Sequence, residues 1–222
     1  FLLLFLMCIS ASWTWASDAP ERTVLFNMGD YDSQYWRIPA LVTAADNSLV
    51  AVVDKRGSSL GDLPNTISIM SRRSTDNGKN WSEPVVVAQG GNGKTYGDPA
   101  VVLDKKTGNL ICMFVGDQGL WNATPYNRQG IYVSKSTDNG VSWSEPVAIT
   151  DQVYANHSGW YAGFAGSGHG LCLKDGRLMF VLAIRATSAT GVPLHNYAIY
   201  SDDGGDNWTL STNAATTVGD EA

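Results

Sequence analysis

The chain has 222 residues, 44% hydrophobic and 16% charged, with 23 glycines, 8 tryptophans and 9 tyrosines. That balance excludes a disordered or polyelectrolyte chain and suits β-rich globular structure, in one large domain or two small ones, better than a helical bundle. The formal net charge is −6 and no stretch gathers Lys and Arg densely enough to follow a phosphate backbone, so nucleic acid is not the expected partner and an anionic ligand must be met by individually placed arginines.

At the N-terminus, Phe1 to Ile9 is an apolar run too short to span a bilayer, followed by small residues up to a plausible cleavage point after Ala16. Residues 1–16 therefore read as a secretory signal peptide without an initiator Met or basic start, so that the reading frame is expected to begin upstream; a short buried strand is the alternative. After removal of this segment no membrane span is expected, and the product is secreted or periplasmic. Cys8 leaves with the signal. Cys112 and Cys172 remain, each in an apolar run, where a buried thiol is the default and a disulfide the alternative.

Three hairpins are then expected. Ala40 to Thr43 turns at Asp46-Asn47 into Leu49 to Val53, Ala100 to Leu103 turns at Thr107-Gly108 into Leu110 to Val115, and Leu171 to Leu173 turns at Asp175-Gly176 into Leu178 to Ile184. Downstream of each lies a copy of one motif, Ser-x-Asp-x-Gly-x-x-Trp: Ser74 to Trp81, Ser136 to Trp143 and Ser201 to Trp208. In such a turn Asp bonds nearby backbone N–H groups, Gly takes positive φ, and Trp folds back over the hairpin. Each copy follows a β-prone run (Ile67 to Met70, Ile131 to Ser134, Tyr197 to Tyr200), and the first two precede another (Pro84 to Val87, Pro146 to Ile149). The sequons at Asn80 and Asn207 arise from this motif, so they and those at Asn122 and Asn156 say little about glycosylation.

Four strands per unit, repeated every roughly sixty residues, describe an all-β chain of β-propeller blades; a β-sandwich would leave the recurring turn unexplained. Three blades and the start of a fourth are expected, with Glu221 where the fourth begins. Closed propellers have about four to eight blades, so residues 17–222 are expected to be the N-terminal part of a larger domain, and alone to be inactive with open blade edges. His157, His169 and His195 lack metal-ligand spacing, and neither a Gly-rich phosphate loop nor a Gly-x-Ser-x-Gly elbow is present. No cofactor or metal is expected.

Arg37-Ile38-Pro39 precedes the first hairpin, and Asp98 the second, as Gly97-Asp98-Pro99-Ala100. In a propeller, equivalent ends of innermost strands converge on the axis, so Arg37, Asp98 and Glu221 are expected to share one site. With its turn motifs and Arg-Ile-Pro, nearly the whole chain after the signal resembles the bacterial sialidases of glycoside hydrolase family 33, six-bladed propellers whose repeated turn is called the Asp box. The resemblance implies an exo-α-sialidase that acts on sialylated glycoproteins, glycolipids and oligosaccharides with retention at the anomeric carbon. It implies Arg37 as the first of three arginines on the substrate carboxylate, Asp62 in the loop after Lys55-Arg56 as acid/base, and Arg56 near the sugar 4-hydroxyl and carboxylate. Asp98 would accept from the N-acetyl amide, Trp121 would face the acetyl methyl, and Glu221 would activate a nucleophilic Tyr beyond residue 222. None of Tyr31, Tyr35, Tyr96, Tyr154 or Tyr161 has the context to replace that Tyr. Gly166 to Gly170 resembles a family segment opening the third blade and is expected to allow close backbone approach. A non-catalytic Asp-box propeller binding glycan or protein is the alternative function.

Overall fold

The computed structural model of the protein describes residues 22–190 and 193–217. The sequence repeat becomes three sheets whose sequential strands pair antiparallel. The first holds β1 (Trp36–Thr43), β2 (Leu49–Lys55), β3 (Ser68–Ser74) and β4 (Val85–Ala88) in sequence order. The second holds β5 (Tyr96–Leu103), β6 (Leu110–Asp117), β7 (Gln129–Ser136) and β8 (Val147–Ala148), followed by a short helix, α1 (Thr150–Tyr154). The third is built from β9 (Ala162–Ala165), β11 (Leu171–Cys172), β12 (Leu178–Arg185), β13 (His195–Ser201) and β14 (Thr209–Leu210), while β10 (Gly168–His169) crosses over to the second sheet. These are three blades of a β-propeller.

Strand period two decides which sheet each residue faces. In β6, Leu110, Cys112 and Phe114 pack with Val50, Val52 and Ile69 of the first sheet, whereas Ile111 and Met113 pack with Leu178, Phe180 and Leu182 of the third. That two-sided burial is why β6 reads as an unbroken apolar run. Cys112 lies wholly inside this core as a free thiol, whose ionisation burial opposes. Cys172 is also a free thiol but only half-buried, so neither the disulfide nor full burial of the pair holds.

The third blade departs from the expected pattern. Its innermost strand begins earlier than Leu171: β9 pairs with the far half of β12, Leu182↔Ala165 to Arg185↔Ala162, and β11 with the near half, Cys172↔Leu178. Between them Gly166 to Gly170 leaves the sheet. Gly168 and His169 pair in parallel with Ala100 and Val101 of β5, and the His169 ring meets the Leu41 carbonyl of β1. The excursion thus lies across the innermost strands of the other two blades. Close approach is what its glycines permit, since a Cβ on Gly170 would stand 2.6 Å from the Phe180 ring. The run after Pro146 likewise gives only the two residues of β8 before α1 takes over.

The three turn motifs share one geometry. Asp76, Asp138 and Asp203 each accept, through Oδ1, the backbone N–H four residues on, at 2.8, 2.9 and 2.9 Å. The serine hydroxyl oxygens of Ser74, Ser136 and Ser201 each accept the N–H of the motif glycine at 2.8 Å. Those glycines hold φ of 84–85°, a conformation costly for any side-chain-bearing residue. Trp81 and Trp208 donate back to the Gly78 and Gly205 carbonyls, as expected of a covering ring, but Trp143 donates instead to Ser71 Oγ of the first blade. The second motif is therefore also a clasp between blades, aided by Arg73 Nε donating to the Asn139 carbonyl at 3.0 Å. Lys135 Nζ repeats the arrangement one blade on, reaching Asp206 Oδ1 at 2.5 Å.

Hydrogen bonds from the Asn80 amide and side chain hold the Asp76 carboxyl down to about 2, and those from Asn207 do the same for Asp203. A carboxyl depressed in the fold contributes stability above its unfolded value and loses it as pH falls through the folded one. The melting temperature of the full-length protein should therefore drop between about pH 4 and about pH 2, and Asp76→Asn with Asp203→Asn should flatten that part of the profile. An unchanged acid limb in the double variant would show that these carboxylates do not couple to folding.

Candidate active site

The innermost strands carry an irregularity at the same phase. In β1 the pairs Arg37↔Asp54 and Ala40↔Val52 leave Ile38-Pro39 opposite one residue of β2; in β5 the pairs Gly97↔Val115 and Ala100↔Met113 leave Asp98-Pro99 opposite one residue of β6. Each is a one-residue bulge ending in proline, which has no N–H to offer the ladder. Ile38 and Asp98 both take positive φ, 53° and 57°. For β-branched Ile38 this is an outlier costing on the order of 1–3 kcal/mol, a signature of positions where backbone is bent for a purpose. Arg37 and Asp98 thus lie inside their strands rather than just before them, and Asp98 shares phase with Ile38 while Arg37 shares it with Gly97. A side chain at 97 would press on Leu63 Cδ1 at 3.2 Å and Asp54 Oδ2 at 3.4 Å, which explains the glycine there.

At the same end of the first blade, β2 runs out through Asp54 and Lys55 into the loop of residues 56–67. Asp54 shares a face of β2 with Val50 and Val52, in a strand buried on both faces, and is itself fully buried. It meets the equally buried Arg56: Nε and Nη2 donate to Asp54 Oδ2 at 3.1 and 2.8 Å. The other oxygen, Oδ1, accepts the backbone N–H of Asp98 at 3.1 Å, so one carboxylate fixes an arginine of the first blade and the bulge of the second. Burial lifts the Asp54 carboxyl well above the ordinary carboxylate range and the neighbouring Asp98 charge adds to this, while the Arg56 guanidinium opposes both.

Arg56 Nη1 donates onward to the Leu60 carbonyl at 3.0 Å and to Asp62 Oδ1 at 2.5 Å, and its Nη2 stands 3.8 Å from Asp98 Oδ1. Arg37 Nη1 donates to the same two acceptors, Leu60 O at 3.2 Å and Asp62 Oδ1 at 3.3 Å. The side chains of Arg37 and Asp62 are 42% and 70% exposed, so both are accessible, whereas Arg56 lies beneath them. Asp62 Oδ1 thus occupies the donors that a ligand anion would use.

A cleft of about 260 Å³ opens here, lined by Arg37, Ile38, Asp62, Asp98, Trp121 and Gln129, with Leu63, Leu120, Asn122 and Phe164 completing it. Four of the residues anticipated from sequence, Arg37, Asp62, Asp98 and Trp121, line it, and Arg56 supports it from below. Glu221 lies outside the described residues. No tyrosine lines the cleft among the described residues. Asp54 was not anticipated; its signal is a carboxylate on the apolar face of a strand, two residues before an arginine. Gln129 was not anticipated either: it is buried at the start of β7, and its Oε1 has no hydrogen-bond partner among the described residues.

Two apposed, hydrogen-bonded arginines beside an exposed carboxylate suit an anionic ligand with a polar body, the guanidinium fork matching a carboxylate in a plane. The chain belongs to the BNR repeat-like domain family, whose model matches residues 38–220. It is 34% identical over 207 residues to a sialidase of Bacteroides fragilis and 29% identical over 209 residues to a sialidase of Paraclostridium sordellii, matches covering 85% and 87% of this chain. The chain spans only 37% and 51% of the length of these relatives. Among solved structures, a Hadza microbial sialidase, Hz136, superimposes with a TM-score of 0.77 at 31% identity, over 85% of this chain and 39% of that one. A leech intramolecular trans-sialidase does so at 0.73 with 17% identity, over 87% and 46%, and shares the fold. These matches define a partial sialidase domain built as a β-propeller. No helix among the described residues is long and apolar enough to cross a membrane.

Because Asp54 and Arg56 are both out of water, removing one strands the other. Asp54→Ala should cost about 3–5 kcal/mol in denaturant unfolding of the full-length protein, and Asp54→Leu combined with Arg56→Met should recover most of it. A double variant as unstable as the single one would show that lost packing, not a stranded charge, sets the cost.

Proposed function

We propose that the full-length protein is a secreted exo-α-sialidase that removes terminal sialic acid from glycoproteins, glycolipids and oligosaccharides with retention at the anomeric carbon. In this reading residues 1–16 are its signal peptide and residues 17–222 the N-terminal part of the catalytic propeller. The observation that carries it is the convergence of Arg37, Arg56, Asp62 and Asp98 on one cleft, organised by buried Asp54.

Sialic acid bears its carboxylate on the anomeric carbon, so the reaction needs cations that hold the carboxylate while positive charge develops beside it. Arg37 is exposed and reaches the cleft, and it takes this role once the substrate carboxylate replaces Asp62 Oδ1 as its acceptor. The displaced Asp62 is carried on an exposed loop and turns to the glycosidic oxygen, where it acts as general acid and then as base. Arg56, already fixed by Asp54, contributes its Nη1 to the sugar side of the cleft when Asp62 departs. Asp98 accepts from the acylamino N–H, and Trp121 faces the acyl methyl. Glu221 draws the proton from the nucleophilic Tyr that the family pattern places after residue 222; a neutral phenol avoids repulsion from the substrate carboxylate. Residues 1–222 alone lack that Tyr and should release no sialic acid.

The reading is tested with the full-length protein on sialosides of graded leaving-group ability. Asp62→Ala should slow substrates with poor leaving groups by roughly 10²- to 10⁴-fold and activated aryl sialosides far less. Arg37→Ala should slow both kinds alike, by roughly 1.5–3 kcal/mol for each charged hydrogen bond lost. Release of no sialic acid by the unaltered protein would overturn the assignment. Equal losses across leaving groups for Asp62→Ala would remove Asp62 from the proton-donor role.

A further inference from the structure

We propose that Arg185 is a positioning residue for the cleft, holding Trp121 in its lining place through the loop that joins β6 to β7. The proposal rests on the sialoside reading of that cleft, and its test lets the two fail separately.

Arg185 ends β12 in the third blade and is 2% exposed, yet it makes no ion pair with a carboxylate among the described residues. A guanidinium taken out of water without a counter-charge is expensive unless its surroundings are built to receive it. Those surroundings are two aromatic rings and one carbonyl. The guanidinium carbon lies 4.7 Å from the Tyr161 ring centroid and 5.7 Å from that of Trp121, and Nη2 donates to the Ala123 carbonyl at 2.5 Å. Nε is buried and has no hydrogen-bond partner among the described residues. Burial accordingly disfavours the charged form, with the two nearby tyrosines, Tyr161 and Tyr154, working against that trend.

Two of the three compensating groups, Trp121 and Ala123, belong to the β6–β7 loop rather than to the third blade. The cation keeps them only while the loop sits where it does, so burial of Arg185 and placement of the loop are one event. A second arginine fastens the far end of the same loop. Arg128 Nε and Nη2 donate to the Trp160 and Ser158 carbonyls at 3.2 and 2.6 Å, with the guanidinium 4.9 Å over the Tyr154 ring. Between these two attachments Trp121 remains 42% exposed and lines the cleft beside Asp98 and Gln129. A ring so open to water has little burial of its own to hold it. Arg185 does not line the cleft and acts through Trp121.

The test uses the full-length protein with a fluorogenic α-sialoside and the variants Arg185→Met, Arg185→Lys and Trp121→Ala, singly and combined. Arg185→Met and Trp121→Ala should each raise KM by roughly tenfold, the scale of one desolvated cation–π contact, and leave kcat within roughly threefold. The double variant should be no worse than Trp121→Ala alone, because both changes remove one wall. Arg185→Lys keeps the charge but loses the fork, and should fall between; it carries the cycle if Arg185→Met does not fold. Independently of activity, amide hydrogen exchange in Arg185→Lys should quicken in residues 118–128 and not in the strands of the other blades. An unchanged KM, losses that multiply in the double variant, or unaltered exchange in that loop would overturn the proposal. An unaltered protein that releases no sialic acid, together with the exchange change in Arg185→Lys, would overturn the enzymatic reading and leave the positioning role standing.

Discussion

The cleft hangs on one buried carboxylate. Asp54 receives two hydrogen bonds from Arg56 on one oxygen and the Asp98 backbone N–H on the other, so it sets an arginine of the first blade against the bulge of the second. The charged groups at the mouth are reached from there: Arg56 holds Asp62 and the Leu60 carbonyl, and Arg37 closes the set by donating to both. A pair this deeply buried is weak as a source of stability, because desolvation offsets most of the attraction. Its value lies in placement. With both partners fully inside, neither has an alternative position, and the exposed residues inherit that fixity.

The proline bulges supply the second constraint. A regular strand would alternate its side chains strictly between neighbouring blades, and none would turn out at the end of the sheet. The extra residue at Ile38-Pro39 and at Asp98-Pro99 breaks that alternation, and the longer excursion of Gly166 to Gly170 does so in the third blade. Ile38 violates two local preferences at once, positive φ on a β-branched residue and a bulge within a paired strand. Local rules are thus broken at one end of the blades, and the Asp boxes sit at the opposite turns. The second and third boxes tie blade to blade.

The repeat made the architecture readable. Ser74, Ser136 and Ser201 open identical turns, and a turn with one geometry repeated every blade leaves few folds open. Arg37 and Asp98 stood out by their place at the start of each unit's first strand and by a family motif, and Asp62 and Trp121 by loops that resemble the family's; the structure lines one cleft with all four. Asp54 was not, because a lone carboxylate ending an apolar run looks like a strand leaving the core for solvent. Arg185 was hidden for a related reason: a buried arginine without a carboxylate partner among the described residues and a surface arginine look alike in sequence, and the rings of Tyr161 and Trp121 and the Ala123 carbonyl tell them apart. The sequence marks Gly166 to Gly170 only as a place of close backbone approach, since the parallel pairing of Gly168 and His169 to Ala100 and Val101 is a long-range contact that no local pattern encodes. The short helix at Thr150 escaped because five residues carry too little periodicity to declare one.

The most direct test is a crystal structure of the full-length protein with an unsaturated sialic acid analogue. The carboxylate of the analogue should lie on Arg37, with Asp62 moved off both guanidinium groups, the Asp54–Arg56 pair intact, and the acylamino group between Asp98 and Trp121. An analogue bound elsewhere, with Asp62 still held by Arg37 and Arg56, would contradict the assignment of this cleft as the substrate site.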